Sequence, residues 1–309
     1  MVSSYTQGQR EMHMPVIDNQ ISLSLDKIIV ATDFTPESEK ALAYASALAR
    51  QYASRVTLAH VINVSIAARS EAAVIQHSLD RNRHLDAERM ERALDDLGMD
   101  GVTAQGKTLE SHNPTEALVK LSQDVDADLI VVGSHHRHGI AKIIRGSFSE
   151  GILRNAHCPV MIIGPNVSPK PLDLAFRSIV FATDLQHDAA EKAAIALSFA
   201  KDSIANIHIC HVIEEQMESF ADAFRQHARA ECALSRLLPD ASCIWHAPKP
   251  SVLFGDVDQE ILKAAKATEA DLIVLGARRG VSWLNRFWDS AVEQIVGQAK
   301  CPVLTICTN

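Results

Sequence analysis

Aromatic residues are scarce in this chain, at 5% of positions, and cysteine is rare. Cys158, Cys210, Cys232, Cys243, Cys301 and Cys307 form no C-x-x-C pair and no zinc-finger spacing, which argues against a dithiol redox motif or a structural zinc site. Their neighbours are mostly apolar and strand-like, as in HICHV and CPVMII, so reduced, buried thiols are expected. No apolar run approaches the roughly 20 residues of a membrane-spanning helix. The opening stretch MVSSYTQGQREMHMPVIDNQ lacks the apolar region of a secretory signal. Positive charge is not in excess either: 30 Lys+Arg face 38 Asp+Glu, a formal net charge of −8, which argues against nucleic acid or an anionic membrane as the main partner. These absences make a cytoplasmic protein the expectation. The 47% hydrophobic and 22% charged residues exclude wholesale disorder. With 309 residues, about twice a ~150-residue domain, two domains are expected.

What the chain does contain is a copy of itself. KIIVATDF (27–34) recurs as SIVFATDL (178–185), and LAHVI (58–62) recurs as ICHVI (209–213), both displaced by 151 residues. DADLIVVGS (126–134) recurs as EADLIVLGA (269–277), and HCPVMII (157–163) as KCPVLTI (300–306), now displaced by 143. Four blocks in one order, with a single length change between them, identify a tandem duplication.

Each copy alternates strand and helix. In the first, the run 27–33, apolar throughout 28–31 and rich in β-branched residues, predicts a strand buried on both faces. An Ala/Leu-rich helix over 37–51 follows, then a strand at 56–61, a long charged helix over about 67–97 and a strand near 102–109. Asn113-Pro114, with Glu116 three residues after the Asn, has the pattern of a capped helix start. Strands at 129–133 and 160–164 enclose a helix over about 147–155. In the second copy Asp256 and Gln259 are expected to cap the helix equivalent to that at Asn113. Apolar strands alternating with helices give an α/β fold: a five-stranded parallel sheet per copy, with helices on both faces. The boundaries expected are a tail at 1–24, a first domain at 25–164, a proline-rich linker at 165–175 and a second domain at 176–309.

Open parallel sheets collect ligands beyond the carboxyl ends of strands, where the strand order reverses. Asp33 follows the first strand and could accept hydrogen bonds from a base or ribose. After the fourth strand come Gly133-Ser-His-His-Arg-His-Gly139 and then Gly146-Ser147 at a helix start, a source of free N–H groups and a favourable dipole for phosphate.

At these residues the chain resembles the universal stress protein family, over about 25–164 and 176–309. The resemblance implies two tandem Rossmann-like domains of the adenine nucleotide alpha hydrolase type. Nucleotide-binding members carry an Asp after the first strand and G-x2-G-x9-G-[S/T] after the fourth, and their usual ligand is ATP with a divalent cation such as Mg2+. The first copy matches at Asp33, Gly133, Gly146 and Ser147, with Val61 as the apolar contact after the second strand, but has His136 for the second glycine. Ala31, Thr32 and Phe148 complete the candidate nucleotide site. The second copy keeps Asp184, Gly276 and Ser290 but has Arg279 and Asp289 for two glycines. A Cβ in such a loop raises its cost, and a carboxylate at a helix N-terminus repels phosphate, so a degenerate, nucleotide-free second site is expected. In the family the last strand pairs with its counterpart across a dimer. The resemblance therefore implies an intrachain pseudo-dimer, to which a further homodimer could be added, with both strand edges hidden.

Rival motifs fare less well. Gly101–Thr108 satisfies G-x4-G-K-T, but a P-loop needs a strand before its first glycine and a helix opening at its Lys-Thr, and neither is expected here. His135, His136 and His138 lack the helical i, i+4 spacing of a metal pair, and the second copy has Arg278 and Arg279 for two of them, so the shared property is basicity. Trp283 and Trp288 are expected to pack or to cover a degenerate pocket. No nucleophile, base or metal constellation points to efficient catalysis, so any ATP hydrolysis would be slow. The preferred reading is a stress-response protein that binds ATP or a related adenine nucleotide in its first domain, with a structural or regulatory second domain. A nucleotide-free scaffold acting through protein partners is the alternative.

Overall fold

The computed structural model describes residues 24–64, 73–134, 148–169, 174–186, 188–214, 219–238, 248–278 and 285–308. The expected tail at 1–24 lies outside them except for its last residue. In the first half, β1 (Lys27–Thr32), α1 (Pro36–Tyr52), β2 (Arg55–Asn63), α2 (Ala73–Met99), β3 (Thr103–Ser111), α3 (Pro114–Asp124), β4 (Leu129–Gly133), α4 (Phe148–Asn155) and β5 (Val160–Ile163) follow one another. The second half repeats this order as β6 (Ser178–Thr183), α5 (Ala189–Ser203), β7 (Asn206–Ile213), α6 (Phe220–Arg236), β8 (Lys249–Phe254), α7 (Val257–Ala267), β9 (Leu272–Arg278), α8 (Asn285–Gln298) and β10 (Val303–Thr308).

The ten strands form one sheet in the order β3-β2-β1-β4-β5-β10-β9-β6-β7-β8. Within each half all pairs are parallel, and the halves meet where β5 runs antiparallel to β10. Met161 lies opposite Leu304, its own counterpart in the repeat, and Val160 and Ile162 lie opposite Thr305 and Val303. Pairing each residue with the mirror of its duplicate puts a local two-fold axis through the Met161–Leu304 pair. This join is the intrachain pseudo-dimer expected above. The Thr305 hydroxyl donates to the Val160 carbonyl at 3.2 Å across it.

Strand alternation builds the core. Ile28 and Val30 of β1 face one layer, with α1 and α2, while Ile29 and Ala31 face the other, with α3 and α4. Residues of both halves share each layer, so the core is continuous across the join. The segment between the halves contributes to it: Val167, Leu174 and Phe176 are buried, and Tyr44 Oη of α1 donates to the Ser168 carbonyl at 3.4 Å. Phe199 makes T-shaped contacts with Tyr52 and Phe176, and Tyr52 Oη donates to Asp202 at 3.1 Å.

Helix starts follow sequence chemistry, with one exception. Thr35 and Ser38 form a reciprocal capping box ahead of Pro36, and Asn113 Oδ1 accepts from Glu116 N as expected. Asp256 occupies the N-cap position of α7, but its side chain makes no capping hydrogen bond. The cysteine expectation is met by Cys158, Cys210 and Cys301, all buried. Burial pushes the Cys210 thiol up to about 12, which keeps it protonated and inert. Cys232, on the outward face of α6, is exposed instead.

The P-loop letters run from a turn at Gly101 into a strand. Gly106, Lys107 and Thr108 belong to β3 and pair with Leu58, Ala59 and His60. A Cβ on Gly106 would stand 2.9 Å from Met90 Cγ, so this glycine lets α2 lie close on the sheet.

Candidate functional site

In each half the strand order reverses between the first and fourth strands, β1 and β4 or β6 and β9. The crevice beyond their carboxyl ends is where a ligand gains access. In the first half Thr32 is buried at the end of β1, and its hydroxyl accepts from Phe34 N at 3.0 Å and lies 3.2 Å from Ser38 Oγ. This clasp turns the chain sharply, with Phe34 at φ 58°. Asp33 is thereby presented at the surface. Its Oδ1 accepts from Thr35 Oγ1 at 2.6 Å and from Thr35 N at 3.2 Å.

Gly133 ends β4 beside the first turn of α1. A Cβ there would lie 2.6 Å from the Glu37 carbonyl oxygen, so the close approach of strand and helix requires glycine. Ala31 is buried beneath the turn, while Val61 and Phe148 are partly buried. The structure thus brings Ala31, Thr32, Asp33 and Gly133 to one edge, with Val61 at the end of the neighbouring strand and Phe148 opening α4. His136, Gly146 and Ser147 lie outside the described residues, as does Arg279 of the second half.

Sequence reading missed His60. It is buried next to the crevice, with its ring 4.9 Å from that of Phe34. Its Nδ1 is 2.9 Å from the Thr32 carbonyl and carries the proton there, because a carbonyl only accepts. Its Nε2 stands 3.5 Å from Asp86 of α2, which also pairs with Arg89 at 3.3 Å. His211 repeats the first contact, 2.8 Å from the Thr183 carbonyl. A histidine kept in the same place of a buried strand, LAHVI and ICHVI, was the available signal.

The second half differs around that shared frame. Asp184 Oδ1 accepts from Gln186 N at 3.2 Å, a turn much like that at Asp33. A cavity of ≈ 590 Å³ opens above β6 and β7, lined by Asp184, His211, Gln226, Arg229 and an apolar floor that includes Ile261 and Ala291. In the first half Asp86 approaches the histidine from the equivalent helix. At Gly276 a Cβ would meet Lys192 Cδ at 3.0 Å rather than backbone. Lys192 is fully buried and pairs with Asp188 at 2.9 Å. Among the described residues no cluster of three His, Cys, Asp or Glu side chains could hold a metal ion.

A duplicated parallel α/β sheet with an acidic turn after each first strand and a glycine near the carboxyl end of each fourth defines a two-domain, Rossmann-like α/β protein. The profile of the universal stress protein family matches residues 24–164 and again 175–306, and the chain belongs to that family. A universal stress protein of Mycobacterium tuberculosis strain H37Rv is 26% identical over 292 residues, covering 90% of this chain and 95% of its own length. One from Methanocaldococcus jannaschii is 27% identical over 141 residues, 44% of this chain and 81% of that protein. The crystal structure of a universal stress protein from Archaeoglobus fulgidus superimposes with a TM-score of 0.68, at 20% identity, over 93% of this chain and 98% of that one. That likeness is one of fold. No helix among the described residues is long and apolar enough to cross a membrane.

Proposed function

We propose that this chain is a cytoplasmic stress-response protein that binds ATP or a related adenine nucleotide, with its divalent cation, at the crevice of the first half. The observation that carries the reading is the convergence of Asp33 and Gly133 at the strand-order reversal. A surface carboxylate held in a fixed turn suits the amino and hydroxyl donors of a nucleoside. Gly133 brings the end of the neighbouring strand to the same crevice, seated against the first turn of α1. His136, Gly146, Ser147 and Phe148 are the residues proposed to follow the ribose and phosphates. The second half serves as a structural or regulatory partner; Asp289, expected at a helix start, instead falls inside α8 (Asn285–Gln298), so the degenerate site rests on the loss of the two glycines at 279 and 289. Catalysis is not part of the proposal beyond slow, incidental hydrolysis.

Calorimetry with Mg-ATP on the whole protein and on Asp33→Ala tests this reading. Removing hydrogen bonds to a charged group costs about 1.5–3 kcal/mol, so Asp33→Ala should weaken binding by roughly 10- to 100-fold. Absence of any heat with the native protein would end the nucleotide reading. A scaffold that acts through protein partners is then the better account, and one observation favours it: Phe220 and Phe224 stand 89% and 68% exposed one turn apart on α6.

A further inference from the structure

A second opening lies at the amino ends of the strands, away from the crevices at their carboxyl ends. It is a groove of ≈ 480 Å³ between the C-terminal ends of α7 and α8, at the amino ends of β9 and β10. Its floor is apolar, with Ala265, Ile273 and Ala299 buried and Leu262 partly buried. Its rim carries Lys266 and Lys300, both exposed, with Glu269 as the one acidic side chain lining it.

The duplication supplies an internal comparison. At the displacement of 143, Ala265 corresponds to Ser122 and Lys300 to His157. In the first half these two meet: Ser122, fully buried, has its Oγ 3.5 Å from His157 Nδ1, which bridges the end of α3 to the segment after α4. In the second half alanine removes the hydroxyl, and a lysine whose head stays in water replaces the ring. Gln123 becomes Lys266 at the same displacement. The floor remains apolar, Val119 being replaced by Leu262 and Ala156 kept as Ala299. The second half therefore lacks this hydrogen bond and carries two cations around an apolar surface.

We propose that this groove binds a small amphiphilic carboxylate, an aliphatic acid whose chain lies on the floor and whose head sits between Lys266 and Lys300. Two ammonium groups against one carboxylate leave a single positive charge, which matches a monoanion. The apolar floor requires a ligand with an apolar body, because burying polar groups there would leave them unpaired. The site is independent of the nucleotide reading and lies at the opposite end of the strands.

Titration calorimetry of the full chain with octanoate and decanoate tests the proposal. Burial of each further methylene should tighten binding roughly fourfold, so decanoate should bind about 15-fold more tightly than octanoate, one molecule per chain. Lys266→Gln, an exposed substitution, should weaken decanoate about fivefold. The double change Ala265→Ser with Lys300→His rebuilds the pair that meets in the first half and should abolish saturable binding, with far-UV dichroism and thermal midpoint reporting that it folds. No saturable binding by the native protein, no dependence on chain length, or decanoate affinity that is unchanged in both variants would overturn it.

Discussion

Alanine at Gly133 and alanine at Gly276 introduce the same methyl group at equivalent places of the two halves, yet the surroundings differ. At Gly133 the new carbon would sit 2.6 Å from the Glu37 carbonyl oxygen and 2.8 Å from its carbon, both backbone atoms in the first turn of α1. That turn is held by Pro36 and by the Thr35–Ser38 capping box, so it cannot rotate away as a side chain would. Relief requires helix and strand to separate by several tenths of an ångström. At Gly276 the nearest atoms are Lys192 Cδ at 3.0 Å and Phe181 Cε2 at 3.4 Å, a buried but articulated side chain and an ordinary contact. Neither glycine needs a left-handed backbone, so both substitutions gain about 0.4–1 kcal/mol from the stiffer unfolded chain. Overpacking costs about 1–3 kcal/mol, the upper part of that range applying where backbone must move. Gly133→Ala should therefore be destabilising by about 1–2 kcal/mol net, and Gly276→Ala close to neutral. Urea unfolding followed by far-UV dichroism on the two variants and the native protein measures the difference. Equal midpoints, or a lower midpoint for Gly276→Ala, would refute the assignment of Gly133 to strand–helix contact.

Asp188→Ala strands the fully buried Lys192 ammonium and should cost about 3–5 kcal/mol, whereas Asp188→Ala with Lys192→Met should recover most of that loss in the same urea assay. His208 on β7 has its proton affinity lowered, first by burial and then by the neighbouring Lys249. The folded state therefore prefers the neutral ring. Its contribution to stability is full above the ordinary histidine value of 6.5 and is lost as pH falls from there through the lowered folded value. Thermal midpoints taken from pH 7.5 downward should fall less in His208→Gln than in the native protein.

Much of the architecture was legible because local pattern and burial agree. The largely apolar runs at 27–32 and 178–183 are strands covered on both sides, and the sequence blocks that repeat there made their equivalence visible. Asn113 caps the helix that its spacing to Glu116 announces. The candidate nucleotide residues Thr32, Asp33 and Gly133 converge because strand ends place them, which a strand–helix alternation already implies. Other features depend on packing that no local pattern carries. His60 reads as a polar interruption of a strand, and only the fold shows its ring between Phe34, the Thr32 carbonyl and Asp86. The letters from Gly101 to Thr108 mimic a P-loop because a tight turn and a close helix–strand contact each demand a glycine, at Gly101 with φ 78° and at Gly106 against Met90. The groove of the second half was hidden in a pair of unremarkable substitutions whose effect appears only where two helix ends meet.

The register that sets Met161 opposite Leu304 has a consequence for how the two halves can change. In a dimer of identical chains every residue near the symmetry axis must suit its own copy, so one mutation alters the contact twice. Covalent linkage removes that constraint and makes the association intramolecular, with an effective concentration in the millimolar range for a short connection. Val160 can then face Thr305 while Ile162 faces Val303, two unlike versions of one contact. Joined this way, each half holds the other in place whatever it binds. That freedom lets His60 meet Asp86 in one half while its counterpart lines a cavity in the other.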